Sequence, residues 1–149
     1  MWFDVDLTAV ARYGQRKLKY WPVEAARAVV CPPIVPLLDQ MLTFVENANF
    51  VDVKWWPLLR AGELPALPAW HCDVYAAVDD PRGADVQHAL WFSGAGSRTE
   101  FRDGIAAENT IWLYGHGYAG EHRPTPATFD GPRLLVRVTR APLFRLGRS

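Results

Sequence analysis

A chain of 149 residues and 16.8 kDa has room for one domain with a real core. Half of it is hydrophobic and 21% is charged, which excludes a disordered chain. Sixteen Lys and Arg balance sixteen Asp and Glu, which argues against long nucleic acid as the partner, and no run approaches the roughly 20 apolar residues of a membrane span.

The two cysteines, Cys31 and Cys72, cannot build a disulfide framework or a four-thiolate zinc site. The opening Met1-Trp2-Phe3-Asp4 lacks the basic start of a secretory signal, so a reduced, cytoplasmic setting is expected. In chain order, Phe3, Val5 and Leu7 alternate with polar residues as a short strand does. Arg12, Arg16, Lys17 and Lys19 form a basic patch that reads as a solvated face. Trp21-Pro22-Val23-Glu24 reads as a helix start, with Pro in the first turn. Leu37, Leu38, Met41, Leu42 and Val45 recur at helical spacing, predicting a helix over 36–48 packed on a sheet.

After Asn49 the pattern changes. Apolar and aromatic runs at Phe50–Leu59, Trp70–Val78, Gln87–Ser93, Arg98–Arg102, Thr110–Tyr114 and Arg133–Thr139 alternate with Gly, Pro, Asp and Ser. Their Val, Trp, Tyr, Phe and Thr content predicts strands, and so a mainly β fold with supporting N-terminal helices in one domain over 1–149. Gly94-Ala95-Gly96-Ser97 lacks the Lys-Ser/Thr of a phosphate loop and reads as a hairpin turn.

Chemistry is sought first at the four histidines. Residues two apart in a strand share a face, so His71 and Asp73 can grip one ion while Cys72 points away. Imidazole with carboxylate suits a borderline divalent metal such as iron(II). Near the C-terminus, Arg133, Leu135, Arg137 and Thr139 share one strand face. Two buried arginines there would need a partner, which a bound carboxylate supplies; an edge strand would leave both in solvent instead. Arg137 can hold an anionic substrate group. Tyr75 and Trp91 can line a substrate pocket, core packing being the alternative for each. His88, before an apolar run, reads as a satisfied structural histidine.

His71-x-Asp73, a later His122, and Arg133 eleven positions beyond it resemble the iron(II)/2-oxoglutarate-dependent oxygenases. Leu67-Pro68-Ala69-Trp70-His71-Cys72-Asp73 and His122-Arg123-Pro124-Thr125-Pro126-Ala127 are similar to small oxygenase-like proteins of phage and actinobacterial genomes. The resemblance spans about residues 50–140 and implies a double-stranded β-helix of the jelly-roll or cupin kind. It implies Fe(2+) held by His71, Asp73 and His122, with 2-oxoglutarate as cosubstrate anchored by Arg133 and hydrogen-bonded by Thr99. His116 is the alternative third ligand, but Arg133 then falls 17 positions on, outside the family spacing. The implied activity is hydroxylation of a small molecule, nucleotide or peptide. A non-catalytic cupin-like binding protein and a metal-dependent cupin enzyme without an oxoacid are the competing readings. With little chain left for a lid, a second copy of the chain completing the site is a further expectation.

Overall fold

A computed structural model describes residues 1–145. They form two antiparallel sheets with short helices. Among the described residues no helix is long and apolar enough to cross a membrane.

The α-helices lie in the first third of the chain. The chain enters α1 (Leu7–Tyr13) under the Asp6 carboxylate, which accepts from the amides of Thr8 at 3.0 Å and Ala9 at 3.3 Å, and leaves it at Gly14 with φ 74°. Leu7 thus opens a helix, and the alternation expected at Phe3, Val5 and Leu7 does not become a strand; only Trp2 bridges, to Thr110. The helix α2 (Val23–Val29) starts after Pro22 as the sequence predicts. The helix α3 (Val35–Leu42) stops earlier than position 48, because the Thr43 hydroxyl donates back to the Gln40 carbonyl at 2.6 Å and Asn47 takes φ 56°.

The larger sheet runs β1–β2–β8–β3–β6 and the smaller one β5–β4–β7. Their strands are β1 (Leu18–Pro22), β2 (Phe50–Leu59), β3 (Gln87–Ser93), β4 (Thr99–Phe101), β5 (Gly104–Ala106), β6 (Trp112–Gly115), β7 (His122–Pro124) and β8 (Gly131–Arg140). The ladder between β2 and β8 shifts register between Trp56 and Leu59, where Pro57 has no N–H to donate. The run Trp70–Val78 is not a strand beyond one bridge at His71. Gly94–Ser97 is a turn but not a hairpin: β3 belongs to the larger sheet and β4 to the smaller, so it carries the chain between layers. A side chain at Gly94, where φ is 110°, would meet the Pro132 carbonyl oxygen at 2.0 Å.

The central strand β8 explains the two layers. Its Leu134, Val136 and Val138 are fully buried against Leu37, Leu38 and Met41 of α3, with Val51, Val53, Ala89 and Trp91 beside them. Each such side chain contributes about 1.5–3 kcal/mol through burial, so this face fixes the register. The opposite face, Arg133, Leu135, Arg137 and Thr139, turns to the smaller sheet. Direct pairing places Trp56, Lys54 and Asp52 of β2 beside it, and Phe92, Leu90 and His88 of β3 on the other flank.

His88 lies at the closed end of this face, 1% exposed, with Nδ1 2.8 Å from the Thr139 hydroxyl and its ring stacked on Tyr114. Burial, with Arg137 nearby, lowers its pKa from 6.5 to about 3 against the pull of Asp73. The unfolded chain therefore binds this proton where the folded one does not, and stability falls as pH drops below about 6.5. By about pH 4.5 the loss is on the order of 2–3 kcal/mol. Urea midpoints of the parent should fall more between neutral and that pH than those of His88→Gln, which keeps an amide toward Thr139 and does not titrate. Equal falls would mean that His88 takes up its proton inside the fold.

Candidate metal centre

His71 and His122 face each other across a two-residue ladder. The His71 amide donates to the His122 carbonyl at 3.0 Å and the His122 amide to the His71 carbonyl at 2.9 Å. Such a pair sets both side chains on one side, and the ring centroids lie 4.4 Å apart. Asp73, two residues on, joins them, while the Cys72 thiol turns away to the Gly117 carbonyl. One donor atom from each of His71, Asp73 and His122 lies within 4.8 Å of the others, a cluster that can hold a metal ion. His116 is outside it, its Nε2 2.7 Å from the Ala77 carbonyl and its ring beneath Gly83.

The proton positions follow from the neighbours. His71 Nδ1 lies 3.0 Å from the Ala69 carbonyl and His122 Nδ1 2.8 Å from the Gly120 carbonyl. A carbonyl only accepts, so each Nδ1 carries a hydrogen and each ring turns its Nε2 toward Asp73. His122 Nε2 is 3.1 Å from Asp73 Oδ2, and His71 Nε2 is 3.8 Å from Asp73 Oδ1. Acceptors this close repel unless a proton or a cation lies between them. One divalent ion would serve all three groups, with two imidazoles and one carboxylate on one side of it.

Asp73 is held from behind. Its Oδ2 accepts from the Tyr114 hydroxyl at 2.7 Å, and its Oδ1 lies 2.7 Å from Arg137 Nη1. Arg137 Nη2 lies 3.0 Å from Asp52 Oδ2, off the angle of a hydrogen bond, so that contact is one of charge. The other Asp52 oxygen accepts from the Tyr20 amide at 3.1 Å. Burial pushes the Asp73 carboxyl up, but Arg137 and then His122 overturn this and hold it well below the usual range. Burial likewise works against the Arg137 charge and is outweighed by Asp73 and Asp52. Asp73 is thus a carboxylate at any ordinary pH. Burial and the adjacent Asp73 charge raise the Tyr114 phenol well above its ordinary value, so it remains a donor.

A cavity of about 60 Å³ opens above the cluster, with Arg133, Thr99, Leu90, Leu135, Trp56 and Lys54 among its walls. Arg133 is 1% exposed, its guanidinium over the rings of Trp56 and Phe92 at 5.1 and 5.2 Å. Its Nε and Nη1 have no hydrogen-bond partner. Burial lowers its pKa to about 10 against the distant pull of Glu108. A planar fork buried beside a metal-binding cluster with two nitrogens unmet is built for a carboxylate.

The cavity therefore brings together His71, Asp73, His122, Arg133 and Thr99. Arg137 lines it too, but its guanidinium faces two carboxylates of the protein and not an open anion site. Tyr75 lies elsewhere, packed with Val86 and Ala141 and against the rings of His116 and Phe144. Trp91 is on the opposite face of β3, in the helix-covered core, its indole donating to the Phe3 carbonyl at 2.9 Å. Sequence reading missed Tyr114, Asp52, Lys54 and Trp56. The last three had a signal, since they alternate on β2 as Arg133 and Arg137 do on β8. Tyr114 had none, because only the pairing of β6 with β3 brings it here. No protein-family model matches the chain, and no curated protein matches it either.

Proposed function

We propose that the protein is an iron(II)- and 2-oxoglutarate-dependent oxygenase on a double-stranded β-helix. The observation that carries this reading is the pairing, in one cavity, of the His71–Asp73–His122 cluster with the buried Arg133 guanidinium, whose Nε and Nη1 have no partner. The two sheets suit the proposed scaffold: the histidines join at the β7 side, while Arg133 rises from the middle of the larger sheet.

When bound, iron(II) with the oxoacid supplies the coupling of dioxygen to oxidative decarboxylation and to oxidation of a C–H bond. The chain's own part is placement. His71 and His122 offer Nε2 lone pairs because the Ala69 and Gly120 carbonyls hold their Nδ1 hydrogens. Arg137 and Tyr114 keep Asp73 charged and fixed in direction. Arg133 takes the far carboxylate of the oxoacid in a two-pronged contact, with Thr99 donating from the cavity wall. Trp56, Leu90, Phe92 and Leu135 line or back the cavity and keep bulk water from that ion pair.

Anaerobic titration with iron(II) and 2-oxoglutarate tests this through the weak visible metal-to-ligand charge-transfer band. The band should form in the parent. In Arg133→Ala and Arg133→Lys, at least about tenfold more oxoacid should be needed, since a charge-assisted pair contributes about 1.5–3 kcal/mol and an ammonium cannot reproduce the fork. Iron binding without the oxoacid should hardly change. No band in the parent, with iron bound, would remove the enzyme reading and leave a metal-binding β protein.

A further inference from the structure

Beyond the cavity the same wall continues outward. His71, Lys54, Pro65 and Ala66 line both the cavity and an open groove of about 580 Å³, whose other walls include Lys17, Lys19 and Leu67. A recess of about 160 Å³ beside it is again lined by Lys17 and Lys54, with Trp55, Trp56 and Pro65. Pairing of β1 with β2 explains the gathering. Leu18 opposes Val53 with its side chain in the core, so Lys17 and Lys19 flank it on the outer face, next to Lys54. None of the three lysines lies within 4.0 Å of a carboxylate among the described residues, and no acidic residue lines the groove. Every other positive group at the site is matched or shaped for a planar carboxylate. These three are ammonium point charges with no such fork, an arrangement that suits a tetrahedral dianion better than a carboxylate. The groove has the size of a metabolite site and ends at His71, and the chain's net charge of +0 gives no positive excess to hold a long polyanion.

We propose that this groove receives the substrate, that the substrate is a small phosphomonoester, and that Lys17, Lys19 and Lys54 hold its phosphate while its carbon end reaches the metal cluster. This rests on the oxygenase reading above for the word substrate; the anion site itself does not.

The test is titration of the full chain with methyl phosphate, followed by backbone amide shifts, with acetate as the carboxylate comparison. Methyl phosphate should bind saturably, moving the amides of residues 17–19, 53–55 and 64–71, and acetate should bind at least about tenfold more weakly. Lys54→Gln, and separately the double change Lys17→Gln with Lys19→Gln, should each weaken methyl phosphate about tenfold or more, while Lys54→Arg retains most of the affinity. Arg12→Gln, an exposed basic residue on α1, should leave it unchanged. With iron(II) loaded, methyl phosphate should not displace 2-oxoglutarate. No saturable binding, equal binding of acetate, indifference to the lysines, or competition with the oxoacid would each overturn the proposal. A charge-transfer band in a protein that does not bind methyl phosphate removes this inference and leaves the oxygenase reading. Phosphate binding at the lysines without a band removes the oxygenase reading and keeps the anion site.

Discussion

Arg137→Met should destabilise the metal-free protein by about 3–5 kcal/mol, the usual cost of removing one partner of a buried ion pair. The side chain lies between Asp52, 1% exposed, and Asp73, and its loss leaves two carboxylates buried close together. Urea denaturation without divalent ions measures this. The double change of Arg137→Met with Asp52→Asn should recover much of the loss, because one of the two stranded charges is then gone. Saturating manganese(II) should also recover part of the single variant's loss, by mass action on the native state, where the ion gives Asp73 a positive partner again. A loss below about 1 kcal/mol would mean that water, and not Arg137, satisfies these carboxylates.

Asp73→Asn should abolish useful metal binding. The carboxylate is the only anionic donor of the cluster, and its oxygens approach both imidazoles. Removing an outer support of a ligand typically costs 10–100-fold in affinity, so removing the charged ligand itself should cost more than about a hundredfold. Manganese(II) binding, read by its electron paramagnetic resonance signal, checks this. His122→Ala should behave alike, whereas His116→Gln should bind metal as the parent does. Full loss in His116→Gln with little change in His122→Ala would move the third ligand to His116.

Much of this site was written in residue spacing. A strand places i and i+2 on one face, so His71 with Asp73 and Arg133 with Arg137 were readable as pairs. The run Phe50–Leu59 matches β2 and Gln87–Ser93 matches β3, because β-branched and aromatic residues bounded by polar turns leave few other choices. What could not be read was the meeting of strands far apart in sequence. Arg137 faces Asp52 because β8 pairs with β2, and nothing local to either strand announces that partnership. The same holds for Tyr114 on Asp73, separated by 41 residues. Trp91 went the other way: an aromatic near the expected pocket by number lies on the face of β3 that the helices cover. The short strand expected at Phe3–Leu7 does not form; the Asp6 cap draws Leu7, the last of its three apolar residues, into α1. The helix over 36–48 was shortened by side-chain hydrogen bonding at Thr43, which hydrophobic period does not report.

The smaller sheet has three strands of only three residues each, and one of the two metal-side histidines belongs to it. Such a layer has few backbone bonds of its own and little core apart from what it shares with the larger sheet. Arg133 and Arg137 rise from the opposite layer, so an ion on the histidines and Asp73, with an anion on Arg133, would span the gap between them. Occupancy then acts as a fastener. An empty molecule is joined across this seam by the contacts of Asp73 with Arg137 and Tyr114 and by shared apolar packing, and a loaded one by its ligands as well, so the loaded one opens less often. Binding of a metal, and of an anion at Arg133, would therefore lengthen the time the chain survives a protease.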